Sequence, residues 1–151
     1  MKEPDIDPMF LANKIYPPSY LSLEFMLNRY GIIPDTPWTY TSISSKKTKF
    51  FENEFGNFSY QQIKKGLFTG YNTQNRGGMS FNMATPEKTI MDFIYFNKNK
   101  FIPKFNYWQE LRIDEDFKFN KKIINFYKKL FGDKKVNILI DSLLKYQKDA
   151  Q

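Results

Sequence analysis

The chain has 151 residues, of which 41% are hydrophobic and 19% are aromatic, and it contains neither cysteine nor histidine. A chain of this length and composition can bury a core without metal or disulfide support. The missing residue types exclude disulfides, thiol nucleophiles, Cys-based zinc sites and histidine general bases.

The first predicted region, residues 7–31, is helical. Asp7 followed by Pro8 is typical of a helix start, and this helix is predicted to end near Ile15, before two consecutive prolines. Ser19 is predicted to cap a second helix that ends at Gly31. The side chains at helical spacing on its core-facing stripe are Leu23, Met26, Leu27 and Tyr30. This second helix is too apolar to enter a DNA major groove, so no helix-turn-helix is predicted.

The second region, residues 37–84, is predicted to be β-rich. Residues 38–44 are dense in aromatic and β-branched side chains and are therefore predicted to form a strand. Two hairpins are predicted to follow. One pairs residues 50–53 with 58–61, and the other pairs 70–73 with 80–83 around a turn that contains two glycines.

The third region returns to helix. Thr85, Pro86 and Glu87 form a strong helix start, and Asp92 then interrupts a predicted buried face. A buried carboxylate requires a partner, and a structural partner is favoured over catalysis. Two further helices are predicted to be capped by Asn120 and Asp133, the first of them ending near Gly132. We therefore predict a single α+β domain over residues 1–151, with N-terminal helices, a central antiparallel β-sheet of hairpins and a helical C-terminal part.

No motif for a cofactor, a metal or catalysis is found. The chain has no glycine-rich phosphate loop, and residues 114–116, its only acidic cluster, are typical of a solvated loop rather than a cation site. Lys49 precedes Glu52 and Glu54, the wrong order for a metal-dependent nuclease. We therefore predict that the protein is not an enzyme and binds no cofactor. No apolar run could cross a membrane, and residues 1–8 lack the apolar stretch of a signal peptide, which predicts a cytoplasmic protein.

The positive charge is concentrated towards the C-terminus. Residues 98–151 hold thirteen Lys and Arg against seven Asp and Glu, whereas residues 1–97 hold ten against nine. Two groups of lysines are candidates for contacts with nucleic acid or an acidic partner, and they comprise Lys46, Lys47 and Lys49 in one group and Lys121, Lys122, Lys128 and Lys129 in the other. The second group recurs at a seven-residue spacing on one predicted helix face. An ordinary solvated surface predicts the same pattern in both places.

An ordered set of short motifs resembles the C-terminal domain of AbiEi-family antitoxins. The set spans about residues 9–97 and opens with ANKIYPPSYLSLE at residues 12–24. It continues in order with YGIIP at 30–34, Thr41-Ser42, KKTK at 46–49, FGNFSY at 55–60, Gly70-Tyr71, ATPEK at 84–88 and Asp92. Residues 98–151 form a helical extension without an assignable motif.

The resemblance implies an antitoxin of a type IV toxin–antitoxin system, the class that takes part in abortive infection and phage defence in bacteria. Such proteins counteract an AbiEii-like nucleotidyltransferase toxin, without necessarily forming a stable complex with it, and often act as transcriptional regulators of their own operon. The family's N-terminal winged-helix DNA-binding domain is expected to be absent, either because the chain is a piece of a longer protein or because it is a short natural member. The alternative is a nucleic-acid-binding regulatory module that acts through its basic helical surface.

Overall fold

A six-stranded sheet with helices on both faces forms the framework of the protein, in a computed structural model that describes residues 6–151. The prediction that residues 1–8 form no signal peptide falls partly on residues 1–5, which lie outside the described residues. The helices are α1 (Pro8–Ile15), α2 (Leu23–Arg29), α3 (Pro86–Phe96), α4 (Phe105–Glu110), α5 (Lys121–Phe131) and α6 (Lys134–Asp149). The strands are β1 (Ser19–Leu21), β2 (Thr39–Ser44), β3 (Lys49–Asn53), β4 (Gly56–Gln62), β5 (Tyr71–Arg76) and β6 (Met79–Ala84), and a short 3-10 helix spans Lys65–Leu67. The predicted α+β class, with helices at both ends and a central sheet, is confirmed.

The strand order is β3-β4-β2-β1-β6-β5, and the sheet is mixed. Both predicted hairpins are present and antiparallel. The central pairings differ from the predicted antiparallel arrangement, because β2 pairs with β4 and β1 pairs with β6 in parallel. Each hairpin therefore joins the centre of the sheet through its second strand.

The prediction of where the second helix begins is wrong. Ser19 does not cap a helix, because Ser19–Leu21 forms β1, which lies between β2 and β6 in the middle of the sheet. Tyr20 and Leu21 are both fully buried on opposite faces, so this three-residue strand supplies both cores. Helix α2 begins only at Leu23, whose φ of +62° turns the chain sharply out of the strand.

Two apolar cores lie on the two faces of the sheet. The smaller core lies under α1, and its buried members are Met9, Ala12, Leu21, Met26, Phe58, Tyr60 and Phe81. The larger core lies on the other face, where α3 packs against α2, α5 and α6. The residues of the predicted α2 stripe are buried or half-buried, but they do not share one core. Leu23 and Leu27 belong to the larger core, Met26 belongs to the smaller one, and Tyr30 packs against both.

Local hydrogen bonds fix the helix ends where the sequence predicts them. The side chains of Asp7, Thr85, Asn120 and Asp133 each accept a hydrogen bond from a backbone N–H in the first turn of the helix that follows. Gly132 has a φ of +55° and ends α5, as predicted. Within residues 6–151, none of the helices combines the length and the apolar character that a bilayer-crossing segment needs.

Candidate interaction surface

Helix α5 carries most of the predicted contact residues, and its two faces differ strongly. Ile124, Tyr127 and Phe131 are buried and face the core, because they recur every three to four residues. The helix packs against α3 and α6 on that side. The remaining face is open to solvent, so α5 presents a rigid surface whose position is fixed by the core.

Three of the four lysines predicted on α5 are exposed as expected. Lys121, Lys122 and Lys129 lie on the solvent side, and none of them takes part in an ion pair within residues 6–151. Lys128 differs, because its Nζ donates a hydrogen bond at 2.7 Å to Asp141 of α6 and its side chain is only 25% exposed. Its charge is thus partly neutralised, and the free positive charge belongs to the other three.

An apolar stripe runs beside Lys122 and Lys129, and the sequence analysis missed it. Phe126 is 60% exposed, and Ile123 and Leu130 are each more than a third exposed. Positions 123, 126 and 130 follow helical spacing, so the three side chains form one row. We define the α5 surface as the three free lysines together with this row. The sequence already indicated this row, because α5 contains more apolar residues than one buried stripe can accommodate.

A groove of about 700 Å³ borders the α5 surface between α5 and α6. Lys129 and Lys134 line it, together with Asn137, whose Oδ1 is buried and has no hydrogen-bond partner in the described part of the chain. The groove extends the positive charge of α5 towards α6.

The other predicted lysine group lies on the opposite face of the sheet. Lys46 Nζ is 5.1 Å from the centre of the Tyr16 ring, and the Tyr16 hydroxyl donates a hydrogen bond to the backbone oxygen of Lys47. Lys49 Nζ lies 5.9 Å from the ring centre of Phe51. These contacts belong to the face that α1 covers, so the structure does not bring the two lysine groups together.

The carboxylate of Asp92 has a structural partner, as predicted. Lys88 Nζ donates to Asp92 Oδ1 at 2.7 Å, and the hydroxyls of Tyr20 and Ser22 donate to Asp92 Oδ2 at 3.0 Å. Both charged side chains are fully buried. Burial raises the pKa of Asp92 and lowers the pKa of Lys88, while their mutual attraction opposes both changes.

Some of the residues that carry the family resemblance meet at this buried pair, beginning with Tyr20 and Ser22. Tyr71 stacks on the Tyr20 ring with centres 5.0 Å apart. The Oγ1 of Thr85 caps the helix that carries the pair. Gly70 packs against Lys88, where a Cβ would lie 2.6 Å from Cγ. These residues mark a buried junction between the sheet and α3. The motifs at residues 46–49 and 55–60 lie elsewhere, at β3 and β4, and the exposed α5 surface lies outside all of the motifs.

Comparison with known proteins adds no assignment at this point. The chain matches no protein-family model. It also matches no curated protein sequence.

Proposed function

We propose that the protein is a cytoplasmic, non-catalytic antitoxin domain that counteracts an AbiEii-like nucleotidyltransferase toxin and is associated with transcriptional autoregulation. The ordered AbiEi-like motifs support the class of activity. The α5 surface supports the mode of action, because it offers a protein partner an exposed aromatic side chain beside free positive charge.

The exposure of Phe126 is the observation on which this proposal depends. Aromatic side chains at the centre of a contact, surrounded by polar groups, supply most of the binding free energy in protein interfaces. Phe126 is 60% exposed on a helix whose other face is fixed in the core, so it needs no rearrangement to bind. The lysines beside it favour a partner with an acidic rim around an apolar pocket.

Co-expression with an AbiEii-like nucleotidyltransferase toxin tests the proposal. The unchanged chain is expected to restore growth, and Phe126→Ser is expected to lose this protection. Phe50→Ser is the matched control, since Phe50 is 56% exposed on β3 and lies far from α5 in the fold. Persistent toxicity in the presence of folded, unchanged protein would contradict the proposal.

A binding measurement separates direct from indirect antagonism. With purified toxin, Phe126→Ser is expected to weaken the affinity by about tenfold or more, as for a central interface aromatic. Growth protection without measurable binding, unaffected by Phe126→Ser, would place the activity elsewhere than on the α5 surface.

A second candidate function is nucleic-acid binding through the same helix, favoured by the three unpaired lysines. Phosphate contacts by three lysines predict that log K falls with log salt with a slope of about −3. Changing Lys121, Lys122 and Lys129 to Glu should abolish a gel shift on the operon promoter, whereas changing Lys46, Lys47 and Lys49 should not. Absence of binding at low salt eliminates this candidate.

A further inference from the structure

A cavity of about 430 Å³ lies between the loop of residues 115–119, the start of α5 and the last turns of α6. We call it the α6 cleft. Its volume lies in the range of small-ligand sites, which is about 300–1,000 Å³. Three kinds of side chain line it, namely a fixed amide, free lysines and half-buried apolar groups, and each kind restricts what can bind.

Gln147 is a fixed hydrogen-bonding group in the lining of the α6 cleft. It is only 7% exposed, and its Nε2 donates to the backbone oxygens of Asp114 at 2.8 Å and Phe117 at 3.0 Å. The amide cannot turn over, because its oxygen would then face two carbonyl oxygens. Both N–H groups are therefore committed to the protein, and only the oxygen is left for a ligand.

The Oε1 of Gln147 is an open acceptor. It has no hydrogen-bond partner within residues 6–151, and it retains contact with solvent. Polar atoms of buried side chains are nearly always satisfied, so this oxygen accepts from water in the free protein. A ligand that displaces the water must supply an N–H or O–H donor in its place.

The charge of the α6 cleft is positive. Lys118, Lys121 and Lys148 line it, all three are exposed, and none of them takes part in an ion pair within residues 6–151. Glu115 is the acidic residue of the lining, so three lysines against one glutamate leave an excess of two positive charges. The lysines therefore favour a ligand that carries an anionic group.

An apolar wall completes the α6 cleft. Phe117 and Leu144 are half-buried in the lining, and Phe119 lies beneath them at 8% exposure. The rings of Phe117 and Phe119 pack together with their centres 4.8 Å apart, which holds the wall in place. An apolar side chain of a ligand can be covered here.

These three features favour a peptide over a nucleic acid. A phosphate backbone has no donor for the fixed acceptor of Gln147, whereas every peptide N–H is one. Asp114 and Asp116 flank Glu115 in the loop, and this acidic loop repels a continuous chain of phosphates. A short peptide can place one or two carboxylates at the lysines without bringing charge to the acidic loop.

We propose that the α6 cleft binds a peptide segment in which an apolar side chain is followed by one or two carboxylates. A backbone N–H of the segment donates to Gln147 Oε1, the apolar side chain lies on Phe117 and Leu144, and the carboxylates lie on the lysines. The cleft shares Lys121 with the α5 surface, but the binding of a peptide here does not depend on the partner of that surface.

An NMR titration of the full chain with an acetylated and amidated Leu-Phe-Asp-Glu peptide tests this site. Saturable shifts are expected at the side-chain amide of Gln147 and at the backbone amides of Lys118 and Leu144. The neutral peptide Leu-Phe-Asn-Gln is expected to bind about fivefold more weakly, because it loses two contacts with lysine. Equal affinity for the neutral peptide, or shifts confined to the amides around Phe126, would overturn the proposal.

Methylation of the peptide nitrogens tests the acceptor. Methyl groups on the Phe and Asp nitrogens of the same peptide remove N–H donors and leave its charge unchanged. A loss of affinity of about tenfold is expected, because binding then covers the Gln147 oxygen without giving it a partner. Undiminished binding would contradict the role of Gln147. Displacement of the peptide by an equal concentration of a short oligodeoxythymidine would show that the cleft takes phosphates and would overturn the proposal.

Two double variants separate the α6 cleft from nonspecific attraction. Lys118→Gln/Lys148→Gln is expected to weaken binding of the acidic peptide about threefold or more. Lys64→Gln/Lys65→Gln is the matched control, since it removes the same charge from exposed lysines that do not line the cleft. None of these four lysines forms an ion pair within residues 6–151, so both variants are expected to keep the melting temperature of the unchanged protein. Equal losses of affinity in the two variants, or no loss in folded Lys118→Gln/Lys148→Gln, would contradict the site.

Discussion

Lys88 and Asp92 lie one turn apart on α3 and form an ion pair that has no contact with solvent. The pair is completed by Tyr20 of β1 and by the backbone oxygen of Leu67, which accepts a hydrogen bond from Lys88 at 2.9 Å. It therefore ties three separated parts of the chain to one point of the larger core.

Removing one member of this pair should be severely destabilising. Lys88→Met and Asp92→Leu are each expected to lower the free energy of unfolding by about 3–5 kcal/mol, because each leaves an uncompensated buried charge. Urea unfolding followed by circular dichroism measures the change.

The double variant Lys88→Met/Asp92→Leu checks the physical reason. It should be more stable than either single variant, since no charge then remains in the core. Additive losses in the double variant would show that the pair contributes through shape alone.

Local chemistry explains which parts of this fold could be predicted. The caps at Asp7, Thr85, Asn120 and Asp133 depend on hydrogen bonds that span two or three residues, so the sequence contains the whole signal. The two hairpins depend on adjacent strands and short turns and were predicted for the same reason.

Strand β1 and the central pairings depend on contacts between distant residues. Three residues are too few to show strand periodicity, and only pairing with β2 and β6 makes Ser19–Leu21 a strand. The same limit applies to the candidate sites. Lysines on α5 follow from helical spacing, but the Lys128–Asp141 pair joins two helices and could not be read from either one alone.

Gly70 should tolerate no side chain. Its φ is +81°, and a Cβ would lie 2.5 Å from the Tyr127 hydroxyl and 2.6 Å from Lys88 Cγ. Gly70→Ala is expected to lower the free energy of unfolding by about 2–4 kcal/mol, through overpacking and an unfavourable backbone conformation.

Gly66→Ala is the control for this prediction. No atom lies within 4 Å of the added Cβ, and the φ of Gly66 is not positive. Its effect should stay within about 1 kcal/mol and be stabilising, because alanine reduces the freedom of the unfolded chain. Similar losses at both glycines would contradict the crowding at Gly70.

Asp133 should make stability depend on pH in the acid range. The hydrogen bond from Lys98 lowers the pKa of this carboxyl below its ordinary value of 3.8, and the N–H of Val136 adds to the effect. Because the pKa of Asp133 is lower in the folded protein than in the unfolded chain, its charge stabilises the fold. This stabilisation is complete above the pKa of the unfolded chain and is lost as the pH falls through the pKa of the folded protein.

Asp133→Asn isolates this charge, because asparagine still caps α6. At pH 7 it is expected to be less stable by up to about 1 kcal/mol, as for a partly exposed ion pair. The difference from the unchanged protein should shrink as the pH falls below 3.8 towards the lowered folded-state pKa. Asp133→Ala should lose about 1 kcal/mol more by removing the cap. A constant difference between Asp133→Asn and the unchanged protein across pH 2–7 would contradict the ion pair.

The two tryptophans should report on opposite environments. Trp38 is 93% exposed and precedes β2, although the sequence predicted it inside the strand, whereas Trp108 is fully buried and its Nε1 donates to Ser142 Oγ at 2.9 Å. Indole in water emits at longer wavelength and is reached by acrylamide, so quenching should be biphasic in the unchanged protein. Trp38→Phe should remove the accessible component, shift the remaining emission to shorter wavelength and leave the unfolding midpoint unchanged, because almost no buried area is lost. An accessible component that persists in Trp38→Phe would mean that Trp108 is open to solvent and that α4 is not docked on α6.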